Sequence, residues 1–204
     1  MKHLVILGVP RAGKSYLSTR VVKQLDKTTG KIVVLLPADD VIGALNQSRR
    51  TLLWRIFVRP LRHTFPFVKR ASKEHLVHNA LVFVKSFIGL DNNNQVVVFE
   101  GAYFSPEYIH KHLRSKNIKI VVVGYPNADV EQKVADIRKY DKGRSPLSKK
   151  SDIELRAAVN NLIEQSRQYE QMAKKYKLTF LDTSNDYHGT LDRFAENIVK
   201  FLSE

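Results

Sequence analysis

The stretch Gly8-Val9-Pro10-Arg11-Ala12-Gly13-Lys14-Ser15 constrains this chain more than any other. It has the phosphate-loop spacing G-x-x-x-x-G-K-[ST], in which glycines let backbone N–H groups turn inward around a polyphosphate without Cβ clashes. In such a loop Lys14 meets the β- and γ-phosphates, and the Ser15 hydroxyl can ligate Mg2+. The flanks suit the motif. His3-Leu4-Val5-Ile6-Leu7 is a short apolar run of the kind that forms a buried parallel strand. Residues 15–27 then place Leu17, Val21 and Leu25 at helical spacing, so a helix N-terminus is aimed at the anion. Strand, loop and helix predict a nucleoside triphosphate site drawing on Gly8, Arg11, Ala12, Gly13, Lys14, Ser15 and Tyr16. The alternative is a glycine-bearing strand-to-helix turn that binds nothing.

Four further apolar runs, at 31–36, 95–99, 118–124 and 178–181, read as strands, each separated from the next by helical patterns. That alternation is the signature of an α/β chain with a parallel sheet. In open sheets of this kind ligands gather at the C-terminal ends of the strands, and the second and third strands end in candidate acids. Asp39 and Asp40 follow the second strand; either could take a proton from a substrate hydroxyl, or cap a helix starting at Val41. Glu100 ends the third strand, where a ligand to Mg2+ or its water is expected, and Gly101 after it allows close substrate approach. Its alternative is a capping acid beside Ser105-Pro106-Glu107, the start of the next helix.

Two segments are candidates for substrate handling. Residues 41–90 form a substrate-recognition region, in which Arg49, Arg50, Arg55, Arg59 and Arg62 interleave with Trp54, Phe65 and Phe67. Such a mixture can grip phosphate and stack a base, or be a solvated basic face over core aromatics. His75 and His78 within it lack a third metal ligand and read as surface residues. Residues 138–150 are basic and punctuated by Gly143 and Pro146, as a lid that closes Arg144 over a transferring phosphate would be, or a solvated connector. Asn127 caps the helix before this segment, and Ser151-Asp152-Ile153-Glu154 is a capping box opening a long helix to about residue 177. A terminal amphipathic helix spans 190–202.

Composition bounds the rest. The 204 residues suit one domain, and 34 Lys plus Arg against 20 acids give a formal charge of +14, which favours polyanionic partners, nucleic acid among them. Without cysteine there are no disulfides or thiolate metal sites. No apolar run reaches the roughly 18 residues of a spanning helix, and the N-terminus enters the loop-bearing strand directly instead of forming a cleaved leader. A cytoplasmic protein with no membrane partner is the expectation.

Together, the Gly8–Ser15 loop, the Asp39/Asp40 position, Glu100-Gly101, the arginine-bearing segment and Leu181-Asp182-Thr183-Ser184 resemble the adenylate-kinase-like P-loop kinases over essentially the whole chain. That family comprises nucleoside monophosphate kinases and small-molecule kinase relatives. The resemblance implies a three-layer α/β/α fold with a five-stranded parallel sheet of order 2-3-1-4-5 and a short helical lid. It implies ATP and Mg2+ as cofactors, Arg138 near the adenine, Arg144 and Arg156 on phosphates, and the backbone around Thr183 against the base. The acid after strand three lies in Phe99-Glu100-Gly101-Ala102-Tyr103, where adenylate kinases carry Asp-Gly-Phe-Pro-Arg, and 41–90 lacks their monophosphate-binding pattern. The implied activity is therefore phosphoryl transfer to a small anionic hydroxyl or phosphate acceptor, rather than adenylate kinase activity as such. A nucleic-acid 5'-end kinase and a slow nucleotide-binding regulator are the alternatives.

Overall fold

A computed structural model of the chain describes residues 2–39, 42, 73–89, 94–141 and 145–204. Five strands, β1 (His3–Gly8), β2 (Ile32–Pro37), β3 (Gln95–Gly101), β4 (Ile118–Gly124) and β5 (Thr179–Asp182), form one parallel sheet of order β2-β3-β1-β4-β5. Among the described residues six helices accompany them: α1 (Lys14–Thr28), α2 (Lys73–Gly89), α3 (Pro106–Leu113), α4 (Val130–Asp141), α5 (Asp152–Lys175) and α6 (Tyr187–Ser203). The expected fold class and strand order are those observed. Of the 41–90 region only Ile42 and α2 are described, and Asp40, the basic–aromatic run and Arg144 lie outside the described residues.

Strand burial follows strand position. β1 is central and wholly buried, as its unbroken apolar run requires, while edge strand β2 leaves Ile32 and Leu35 exposed. The β1–β3 ladder is extended at its start by a side chain, since the Val97 N–H donates to His3 Nδ1 at 3.1 Å. Right-handed crossovers from β1 to β2 and from β3 to β4 run in opposite directions along the sheet, so their helices cover opposite faces. α6 returns to pack on α1, and α5 lies on β4 and β5 with α4 and α3 beside it. The reversal occurs beside β1, and a cleft opens at its C-terminal end.

Helix caps refine two sequence expectations. Ser151 and Glu154 form the predicted capping box on α5. Asn127, however, does not cap α4: its amide donates to Asp182 at 3.0 Å, and Asp129 accepts from Gln132 N at 2.8 Å instead. The last helix begins at Tyr187, three residues before the apolar stripe indicated, because the Asp186 carboxylate accepts from Gly189 N.

Candidate active site

The phosphate loop turns through residues of positive φ. Gly8 has φ 149°, Arg11 φ 64° and Gly13 φ 104°. A Cβ at Gly8 would fall on the Val123 carbonyl, and one at Gly13 would meet Leu191 and the Tyr187 ring, so both positions exclude side chains sterically as well as conformationally. Arg11 occupies the left-handed region without a glycine's freedom. α1 then starts at Lys14, and the N–H groups of its first turn have no intrahelical acceptor, which leaves them for an anion.

Four consecutive loop carbonyls are tied off by side chains. Lys14 Nζ donates to Val9 O at 3.0 Å, Tyr125 Oη to Pro10 O at 2.9 Å, and Lys133 Nζ to Arg11 O at 3.2 Å. Thr183 Oγ1 lies 3.3 Å from Ala12 O and 3.0 Å from Gly124 O, sharing its proton between them. With the carbonyls so engaged and the Ala12 N–H donating to Val9 O at 3.3 Å, the other loop amides are the groups an anion would meet in a nest. Lys14 is only 8 % exposed. Burial pulls its ammonium below the ordinary lysine range, opposed by the charges of Asp39 and Glu100.

The acids are placed by register. Glu100 pairs with Ile6 of β1 and Pro37 of β2 at the C-terminal edge of the sheet. Ser15 Oγ donates to one of its carboxylate oxygens at 2.9 Å and Ser18 Oγ to the other at 2.8 Å. Glu100 is not the cap of α3, because Ser105 holds that position and accepts from Tyr108 N. Packing leaves no room for a side chain at Gly101: a Cβ there would meet Ala38 at 2.8 Å and the Phe104 ring at 3.1 Å. Asp39 is exposed on the cleft, with one carboxylate oxygen accepting from Ala102 N at 3.1 Å.

These groups share one cleft of about 930 Å³, lined on the loop side by Arg11, Gly13, Lys14, Ser15 and Tyr16, with Asp39, Glu100 and Thr183. Its far wall comes from α4, through Gln132, Lys133, Asp136 and Tyr140, and from the start of α6, through Tyr187 and His188. Tyr16 donates to Asp192 at 3.0 Å and its ring packs near those of Tyr187 and His188. Arg11 forms an ion pair with Asp141, a carboxylate 3 % exposed that also accepts from Ser145 N at 3.1 Å. Burial alone would raise Asp141, but the hydrogen bond from Ser145 and the Arg11 charge outweigh it and hold the carboxyl below its usual value.

The two described arginines that the resemblance assigned to nucleotide are engaged elsewhere, and neither lines the cleft. Arg138 donates to the carbonyls of Ser148 and Lys150 and to Asp152, fastening the 145–152 segment. Arg156 makes a two-bond pair with Glu131 at 2.7 and 3.0 Å. Conversely, sequence reading passed over Tyr125 and Lys133. Tyr125 directly follows β4 at the ligand edge of the sheet, and Lys133, Ile137 and Asp141 repeat every four residues, a second face of α4 beside its apolar stripe. Those were the available signals. His78 is exposed on α2, and its ring lies 3.2 Å from the Tyr108 hydroxyl.

No protein-family model matches the chain, and no curated protein is recognisably similar to it in sequence. Solved structures share its fold across its whole length. A shikimate kinase from Bacteroides thetaiotaomicron superposes with a TM-score of 0.57 at 16% identity, covering 100% of this chain and 99% of its own. A gluconokinase from Sinorhizobium meliloti does so with 0.52 at 12% identity, covering 100% and 98%. An uncharacterized protein from Eubacterium ventriosum gives 0.51 at 8% identity, covering 100% and 99%. This is the P-loop fold that the strand order describes.

Proposed function

We propose that this protein is an ATP- and Mg2+-dependent phosphotransferase that moves a γ-phosphate to a small, anionic acceptor. The observation that carries the reading is the joining of Lys14, Ser15, Glu100 and Asp39 in one cleft at the mouth of a nest whose carbonyls are tied away. Phosphoryl transfer asks a protein mainly for positioning and charge neutralisation. Lys14 and the first-turn amides of α1 supply the latter. Ser15 Oγ and the Glu100 carboxylate are hard oxygen donors 2.9 Å apart, the type that Mg2+ prefers, and they are the residues that would hold it. Bound there, the ion would offset charge on the β- and γ-phosphates. Asp39 uses one oxygen on Ala102 N, which leaves the other to take a proton from an acceptor hydroxyl.

The acceptor class is suggested by two proteins of the same fold, named for phosphorylation of shikimate and gluconate, both small hydroxy acids. A hydroxyl on a small carboxylate is the acceptor we favour, since it gives Asp39 a role that an already ionised phosphate would not need. The test is transfer from γ-labelled ATP to separate pools of hydroxy acids, sugars, nucleosides, nucleoside monophosphates and oligonucleotides. Label in the hydroxy-acid pool, lost in Asp39→Asn, is the expected result. ATP turnover to free phosphate alone, with every pool unlabelled, would overturn the phosphotransferase reading.

A further inference from the structure

Two side chains outside the expected motif act on the phosphate loop from the β4–α4 side. Tyr125 is fully buried, with its hydroxyl on Pro10 O at 2.9 Å, and it does not line the cleft. Lys133 places its ammonium 4.1 Å over the Tyr125 ring and on Arg11 O at 3.2 Å. The two carbonyls they hold flank the turn into Arg11, the loop's one non-glycine residue at positive φ. A side chain in that region is held there only when its surroundings over-determine it. Here the surroundings are Tyr125, Lys133 and the Asp141 carboxylate on the Arg11 guanidinium.

We propose that Tyr125 and Lys133 are positioning residues of the anion site, clamping the Pro10 and Arg11 carbonyls so that the loop's amides stay turned toward a triphosphate. The inference rests on reading the loop as a triphosphate site. Without the clamp, Arg11 relaxes toward negative φ, the peptide turns, and the nest must re-form each time an anion binds. The cost of that ordering appears as lost affinity.

The probe is inorganic tripolyphosphate, titrated calorimetrically into wild type, Tyr125→Phe, Lys133→Met, the double variant and Lys14→Met, at a temperature where circular dichroism shows each folded. Tyr125→Phe removes one oxygen that cannot reach the anion, so a roughly fivefold loss of affinity is expected through Pro10 O alone. Lys133→Met should lose roughly tenfold, its donor being charged. The double variant should lose less than the product, because both donors hold one turn. A role confined to packing would lower the melting temperature and leave these affinities unchanged. Wild-type affinity in Tyr125→Phe beside lost binding in Lys14→Met would overturn the clamp and leave the anion site standing. Strictly multiplicative losses would assign Lys133 to the anion itself and overturn its half. Unchanged binding in Lys14→Met would remove the site on which the inference rests.

Discussion

At the scale of single residues, the cleft sets two charges in tension. Lys14 is buried among Asp39, Glu100 and Arg11, and its ammonium is held below the ordinary lysine value. A bound triphosphate would favour the charged form and raise that pKa. The sign follows: extra affinity is complete below the free-protein pKa and is lost as pH rises from it toward the bound value. Triphosphate affinity should therefore fall, and proton uptake on binding should appear, as pH climbs toward the ordinary lysine range. Calorimetry in buffers of different ionisation enthalpy reads both, and Lys14→Met should flatten the trend. Glu100, fixed by two serine hydroxyls, gives the second prediction. Glu100→Gln keeps the shape and removes the charge, so kcat should drop by roughly a hundredfold while the melting temperature shifts little. A stability loss with intact turnover would make the carboxylate a structural anchor.

At the scale of elements, α4 is the bridge between the loop and the segment that follows it. Its Lys133 and Asp141 hold Arg11, while Arg138, from another side of the same helix, binds Ser148 O, Lys150 O and Asp152. These contacts make Arg138 a fastener of the 145–152 segment and the start of α5. Arg138→Ala should speed hydrogen exchange at amides 147–152, including Lys150 N, which bonds Leu147 O at 3.2 Å, and should change ATP affinity by less than about twofold. Slower or unchanged exchange with a clear loss of ATP affinity would restore the place near the adenine that the resemblance implies.

For the whole molecule, ligand binding and stability are linked because the site exists only in the folded sheet. The loop ends β1, Glu100 ends β3, Tyr125 follows β4 and Thr183 follows β5, so four strands must be in register before the cleft forms. ATP with Mg2+ at about one hundred times Kd should add about 2.7 kcal/mol, a rise of roughly 5–10 °C in a chain of this size. Lys14→Met should show none of that rise in a thermal melt. The charge of +14 adds to the attraction for any polyanion but does not select one. No helix among the described residues is long and apolar enough to cross a membrane.

The sequence by itself determined what depends on local spacing. Gly8, Gly13, Lys14 and Ser15 are close in the chain, so their joint geometry is set within one strand–turn–helix, and the apolar runs needed no partner to be read as strands, although the burial expected of the second was decided by its place at the sheet edge. The Ser151–Glu154 capping box is equally local. Only the tertiary structure decided relations across long separations. Glu100 meets Ser15 and Ser18 because β3 lies beside β1, a pairing of residues more than eighty positions apart. The same applies to Tyr125 and Lys133 on the loop carbonyls, and to Arg11 with Asp141. Arg138 and Arg156 show the converse. The resemblance places Arg138 near the adenine and Arg156 on a phosphate, yet they pair with Asp152 and Glu131, the carboxylates that the packing of α4 on α5 brings within reach. Spacing along a chain can specify a turn; which charge neutralises which is fixed by packing.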